Sequence, residues 1–249
     1  MIWSLLRGTE WSMLLDVVSP SFFDVLPAGR VARAVKDLAR GTRSASRARE
    51  AREARAALLR ASGLSIVVDA DARALAKATP PGSDPDRQAR GQRLLELYFH
   101  QLYAGEVTLL DLRPERAVAL GETLRWDPGA LHVRWAADFL PAMRDLYAGF
   151  YRDDEARFQL ALEALDLVAA EDVFRRQFGE GDQRAVRFEV AAFRSTFHEA
   201  FLRCKEAGQQ LHGDFVALGV YLATLYLHLE ALGGTFDVRD AFERGSAGA

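Results

Sequence analysis

A mainly α fold, a multi-helix bundle of five to seven helices with a smaller helical and basic N-terminal region, is predicted by three features of the sequence. The first is a pair of long amphipathic segments joined by a short break. Over Gln183–Ala207 the apolar residues Val186, Val190, Phe193, Phe197, Phe201 and Cys204 recur at the three-and-four spacing that lines one helical face. Over Asp214–Leu232 the same spacing places Phe215, Leu218, Leu222, Leu225, Leu229 and Leu232 on one side. The second feature is the punctuation. Asp182 stands where an N-cap belongs, Gly208 where a left-handed C′ residue belongs, and Gly233-Gly234 ends the second segment. The third is that only one short β-leaning run, Leu64–Val68, interrupts the helical periodicity before residue 106.

In chain order, residues 1–27 are apolar and aromatic and are broken into short helical pieces by Pro20 and Pro27. Residues 30–60 form a basic arm of Arg30, Arg33, Lys36, Arg40, Arg43, Arg47, Arg49, Arg52, Arg55 and Arg60 against Asp37, Glu50 and Glu53. Its second half, 47–60, reads as an Ala-rich helix ending near Leu58 and Leu59. Residues 79–86, Thr-Pro-Pro-Gly-Ser-Asp-Pro-Asp, carry the strongest linker signal. The predicted organisation is therefore an N-terminal region over 1–78, a linker over 79–87, a helical bundle over 88–244 and a disordered tail over 245–249.

Within the bundle, 88–104 is a helix stopped by Gly105. Residues 106–130 are ambiguous between strand and helical turn, with a turn at Trp126–Gly129. Residues 130–151 read as helical. Asp153 or Asp154 caps a helix through Phe178 whose apolar residues lie on two sides, so it belongs near the middle of the bundle. A last short helix spans 236–243.

Composition narrows the classes. The chain has 249 residues, 49% of them hydrophobic, and a net charge of −3. Chains of this size bury roughly three quarters of their unfolded surface. Of 32 basic residues only Lys36, Lys77 and Lys205 are lysine, which with abundant alanine fits GC-rich bacterial codon usage. Cys204 is the single cysteine, so neither an intrachain disulfide nor a cysteine metal cage is expected. It lies on an apolar stripe, where an inert buried thiol is expected. No run approaching the ~20 apolar residues of a bilayer span is read from the sequence. Glu10 and Asp16 interrupt any signal-peptide order, so the expected location is cytoplasmic, with peripheral attachment to the inner face of the membrane as the variant.

Candidate chemistry centres on the histidines. If the two long helices pack antiparallel, Arg194, His198, Tyr221, Thr224 and His228 edge one cavity, which suits an anion or an acid–base site because imidazole titrates near neutrality. The competing reading makes them interhelical hydrogen bonds at the margin of an apolar core, and it is preferred. Glu96 and His100 stand four apart and read as an ordinary helix-surface pair. Asp69-Ala-Asp71 after a β-leaning run is the pattern of cation-binding acidic pairs, but without a parallel strand–helix series a helix cap or exposed loop is preferred. Phosphate-binding glycine loops and a nucleophile elbow are not found. No metal and no cofactor is expected.

The basic arm, represented by Arg30, Arg33, Lys36, Arg40, Arg43 and Arg47, is read first as a solvated or self-pairing segment. A membrane surface ranks second, because an aromatic N-terminus beside a polybasic helix suits an anionic leaflet. Nucleic acid ranks last, for want of a helix-turn-helix pattern or interleaved aromatics. Tyr147, Phe150, Tyr151 and the off-stripe Phe188 mark either a contact surface or a face covered by another helix. The leading functional expectation is a non-enzymatic interaction protein, a scaffold or adaptor that binds a protein partner or itself. The alternatives are a helical-bundle enzyme or ligand or metal carrier with its site between 183–207 and 214–232, and a peripheral membrane protein acting through 1–60.

Overall fold

The structure, a computed structural model, describes residues 44–78, 84–178 and 185–247 together with Gly29 and Lys36. The described residues are mainly helical, with nine α-helices and seven short strands. The chain divides into two compact units. Among described residues the first includes 135–178 and 189–223, and the second comprises 44–78, 84–134, 185–188 and 224–247. Of the expected 79–87 linker, residues 79–83 lie outside the described residues. Residues 84–87, read as linker, are already the start of a helix.

The second unit opens with α1 (Ala45–Ser62). The 47–60 part of the arm is not free. Ala48, Ala51, Arg55 and Leu59 form a buried stripe at three-and-four spacing, against β1 (Ile66–Val68) and β2 (Val107–Leu109). The β-leaning run is indeed a strand. β1 pairs in parallel with β4 (Thr123–Trp126), which pairs antiparallel with β3 (Ala117–Leu120). Gly121, at φ +58, supplies the left-handed residue that the tight β3–β4 turn requires. β2 pairs antiparallel with β5 (His132–Arg134); the ambiguous 106–130 stretch thus holds three short strands and a 3-10 turn joined by irregular chain, and 132–134 is strand where helix was expected.

Helix α2 (Ala72–Ala78) follows Asp69, whose carboxylate accepts from the Asp71 N–H at 2.9 Å and pairs with Arg125 at 2.5 Å. That acidic pair thus starts a helix and anchors a strand. Helix α3 (Asp84–Tyr103) packs along α9 (Val238–Ala247), the most extensive helix pairing in this unit. The crossing is close because of two glycines. A Cβ on Gly245 would lie 2.6 Å from the Glu96 carbonyl oxygen, and one on Gly91 would fall inside the Phe236 ring. Residues 245–247, expected to be disordered, are therefore helix, and Gly245 is buried.

Residues 185–188 also belong to this unit. β6 (Ala185–Val186) pairs with β7 (Phe236–Asp237), and the Phe188 ring lies 4.9 Å from that of Tyr226. Phe188 falls off the helical stripe because it is not helical. The extended backbone that reaches β7 delays α7 (Val190–Glu206) until Val190. The expected N-cap, Asp182, lies outside the described residues.

In the first unit α4 (Phe139–Tyr151) and α5 (Glu155–Ala164) meet where Gly149 faces Phe158. A Cβ there would sit 2.5 Å from the Phe158 amide nitrogen. This packing covers Tyr147 and Tyr151, and brings Phe150 and Phe158 to 5.9 Å. Asp154 is the N-cap of α5, its carboxylate accepting from the Arg157 N–H at 3.1 Å. The expected long helix then breaks at Asp166, whose φ of +56 a short Asp side chain tolerates. α6 (Glu171–Phe178) starts afresh after a 3-10 turn. The two-sided apolar pattern thus belongs to two helices with separate faces.

Helix α8 (Phe215–Leu232) matches the expected second segment and runs from the first unit into the second. It is long and apolar enough to cross a membrane by length and composition, yet 72% of it is buried. It also carries Thr224 and His228 with hydrogen bonds to the chain, which suits a core helix.

Gly149→Val should destabilise the full chain by about 2 kcal/mol or more, because the neighbour it meets is backbone. A lowered urea midpoint with unchanged slope is the expected signature.

Candidate functional site

The polar interior of the second unit is organised around the irregular stretch from Val107 to Ala117. It runs from β2 through a 3-10 turn (Pro114–Arg116) to β3. Leu109, Leu110, Asp111, Leu112 and Arg113 are all buried, so each backbone group needs a partner that neither a helix nor a full sheet supplies. Side chains supply most of them. The Gln101 amide accepts from Leu109 N–H at 2.9 Å and donates to Leu109 O at 3.1 Å. Leu110 N–H donates to Leu131 O at 3.0 Å. The Thr224 hydroxyl donates to Leu110 O at 2.7 Å and accepts from Leu112 N–H at 3.2 Å. Trp126 Nε1–H donates to Asp111 O at 2.7 Å, and His228 Nδ1 lies 2.7 Å from Leu112 O. Arg90 Nη2 donates to Pro114 O at 3.1 Å and Ala117 O at 2.5 Å, while Arg55 Nη2 donates to Val107 O at 2.7 Å.

A buried ion network holds the same stretch. Asp111 takes Arg113 in a two-pronged contact, Nε at 2.8 Å and Nη2 at 2.7 Å, and lies 2.9 Å from Arg116 Nε. Arg116 continues to Asp127 at 3.0 Å, and Asp127 accepts from Gly129 N–H at 3.0 Å. Fork-to-carboxylate pairing satisfies several donors at once, which is what makes such charges tolerable inside a protein.

His228 is fully buried. Because a carbonyl cannot donate, the proton of the neutral ring must be on Nδ1, leaving Nε2 as an acceptor. Burial first, and the nearby Arg90 charge second, push its pKa down to about 3. Burial also lowers the pKa of Arg90. Glu96 and His100 are not the expected surface pair, since both are buried. Arg55 Nη1 stands 3.4 Å from His100 Nδ1, and burial drives the Glu96 carboxyl up. The sequence read Arg55 only as part of the basic arm and marked neither Arg90 nor Asp111. The one available signal was polar residues at positions where the helical or strand pattern calls for apolar ones.

The five expected cavity residues divide between the units. Arg194, His198 and Tyr221 belong to the first, with Arg194 and His198 exposed on α7 and Tyr221 buried on α8. Thr224 and His228 belong to the second, where they hold Leu110 and Leu112. Of the arm, Lys36 and Arg47 are exposed, while Arg30, Arg33, Arg40 and Arg43 lie outside the described residues. Cys204 is buried beside Asp166 O, and burial pushes its thiol up to about 11, which leaves little thiolate. Among the described residues no group of three or more His, Cys, Asp or Glu side chains is placed to hold a metal ion. Compared with known proteins, the sequence matches no family model and no curated protein.

Thr224→Val keeps the shape but removes both bonds to the 110–112 backbone. It should cost about 1–3 kcal/mol in chemical denaturation, and Thr224→Ser should restore part of that. Asp111→Asn removes the buried charge that Arg113 and Arg116 share, leaving each with one weaker or more exposed partner (Glu115 and Asp127), and should cost about 3 kcal/mol, measured in the same way. For His228, the unfolded imidazole binds its proton near pH 6.5 and the folded one only near 3, so the unfolded state holds the extra proton between those values. Its contribution is complete above about pH 6.5 and is lost as pH falls towards 3. Urea midpoints across that window should fall less steeply in His228→Gln than in the parent chain.

Proposed function

We propose that this chain is a non-enzymatic interaction protein, a helical scaffold or adaptor that binds a protein partner or a second copy of itself through helical faces and its basic arm. The observation that supports this reading is the two-sidedness of α1. Its stripe of Ala48, Ala51, Arg55 and Leu59 is buried, whereas Arg47, Arg49 and Arg60 are exposed, alongside Glu50 and Glu53. A helix fixed on one side presents its opposite side with little further ordering cost, and arginine pairs with carboxylates through two parallel hydrogen bonds. Arg30, Arg33, Lys36, Arg40 and Arg43 extend the same charge N-terminally in the sequence. An acidic protein surface complements this arm, and the acidic excess elsewhere in the chain makes a second copy one such surface. In this reading the helical bundle over 88–244 is the body that carries the arm.

A full-length chain that self-associates should do so more weakly as salt rises, since exposed charges are screened over about 10 Å at 0.1 M. Sedimentation velocity should show the dissociation constant rising about tenfold between low and moderate salt, and by a similar factor in the R47E/R49E/R60E variant. A chain that stays monomeric at low salt and instead pellets with phosphatidylserine vesicles would move the role of the arm to a membrane surface.

A further inference from the structure

The outward side of α1 carries charges of both signs, and their order along the helix is not arbitrary. The buried stripe of Ala48, Ala51, Arg55 and Leu59 fixes which side faces away from the unit. At three-and-four spacing the opposite side holds Glu50, Glu53, Ala54, Ala57 and Arg60, all exposed, with Leu58 beside them at 36% exposure. Arg60 Nε donates to Ala56 O at 3.1 Å, and neither Glu50, Glu53 nor Arg60 forms an ion pair among the described residues. The acids precede the small central residues and the base follows them. A face ordered in this way is complementary to itself turned end for end.

We propose that this face of α1 docks on the same face of a second copy, the two helices running antiparallel about a two-fold axis between Ala56 and Ala57. Residues equally far from that axis on opposite sides then stand level, because each residue advances the helix by the same rise. Glu53 comes level with the partner's Arg60 on the same side of the seam, and symmetry makes that pair twice. Leu58 faces the partner's Ala54 on the other side, also twice. Ala57, with only a methyl group, lets the two backbones approach at the axis. Arg47 and Arg49 reach the last turn of the opposite helix, whose carbonyl end favours a cation. A parallel pairing would instead set Glu53 on Glu53 and Arg60 on Arg60, and like charges repel. One pair of 18-residue helices falls below the roughly 1,200–2,000 Å² of a standard stable complex, so the association belongs to the weak, reversible class. The pairing rests on the interaction reading above and assigns the acidic surface that the arm meets to α1 itself.

The test is sedimentation velocity of the full chain over a concentration series, with Glu53→Arg, Arg60→Glu and the double exchange of both. Both side chains are exposed, so the fold should survive each change, and circular dichroism checks that it does. Either single exchange sets like charges level at both ends of the seam and should raise the dissociation constant about tenfold. The double exchange restores opposite charges and should return it to within about threefold of the parent. An arm that met an acidic surface elsewhere on the second copy would behave differently: Glu53→Arg would tighten the association and the double exchange would rescue nothing. That result would overturn the antiparallel pairing and leave the interaction reading standing. A parent chain that stays monomeric at every concentration overturns the pairing as well, and leaves a different protein as the partner.

Discussion

The second unit depends on a constraint imposed by its own interior. A stretch of chain from Val107 to Ala117 crosses buried space without continuous regular structure, and an unpaired backbone amide or carbonyl there costs about 1–3 kcal/mol. Arg55 from α1, Arg90 and Gln101 from α3, Thr224 and His228 from α8, and Trp126 from β4 each satisfy part of it. Four elements, α1 and α8 among them from far along the sequence, are thereby held to one strip of backbone. The choice of polar residue at each buried position follows from which group, donor or acceptor, stands opposite it.

The same constraint explains why the buried charges are mostly arginines and paired aspartates. An isolated charge inside would neutralise or unfold the site, whereas a guanidinium spanning two carbonyls, or forked onto a carboxylate, replaces the hydration it loses. Asp111 serves Arg113 and Arg116 together, and Asp127 takes the remaining side of Arg116. Desolvation of its charges offsets much of what such a buried network gains in attraction. Any register shift would leave several charges without partners simultaneously.

The first unit is built by different means. Its helices pack through rings and close backbone approaches, as where Gly149 admits Phe158, and Phe139 lies edge-on to Phe215 at 5.1 Å. Its ion pairs lie towards the surface, among them Arg175 with Glu155 and Glu171, and Arg176 with Glu199. Exposed pairs of this kind contribute little each, so apolar burial carries this unit.

Sequence periodicity alone determined the helical class, the extent of α8, a cap at Asp153 or Asp154 (the structure selects Asp154) and the β-leaning run after Leu64, because these follow from spacing and capping chemistry within one short segment. It did not reveal the start of α7, since Ala185 and Val186 leave the helical pattern only to pair with Phe236 and Asp237, some fifty residues away. Nor did it reveal the break at Asp166, where both flanking halves fit one helical wheel. The polar interior was least legible of all. Thr224 and His228 stood out as polar residues on an apolar helix, but their partners Leu110 and Leu112 are identified only by backbone carbonyls, which every residue has. Arg55 looked like one more solvated charge in a basic arm until the tertiary structure set it against Val107 O. Local chemistry decides which segments coil, while the pairing of buried donors with acceptors is a property of chain segments brought together, and only the folded arrangement fixes it.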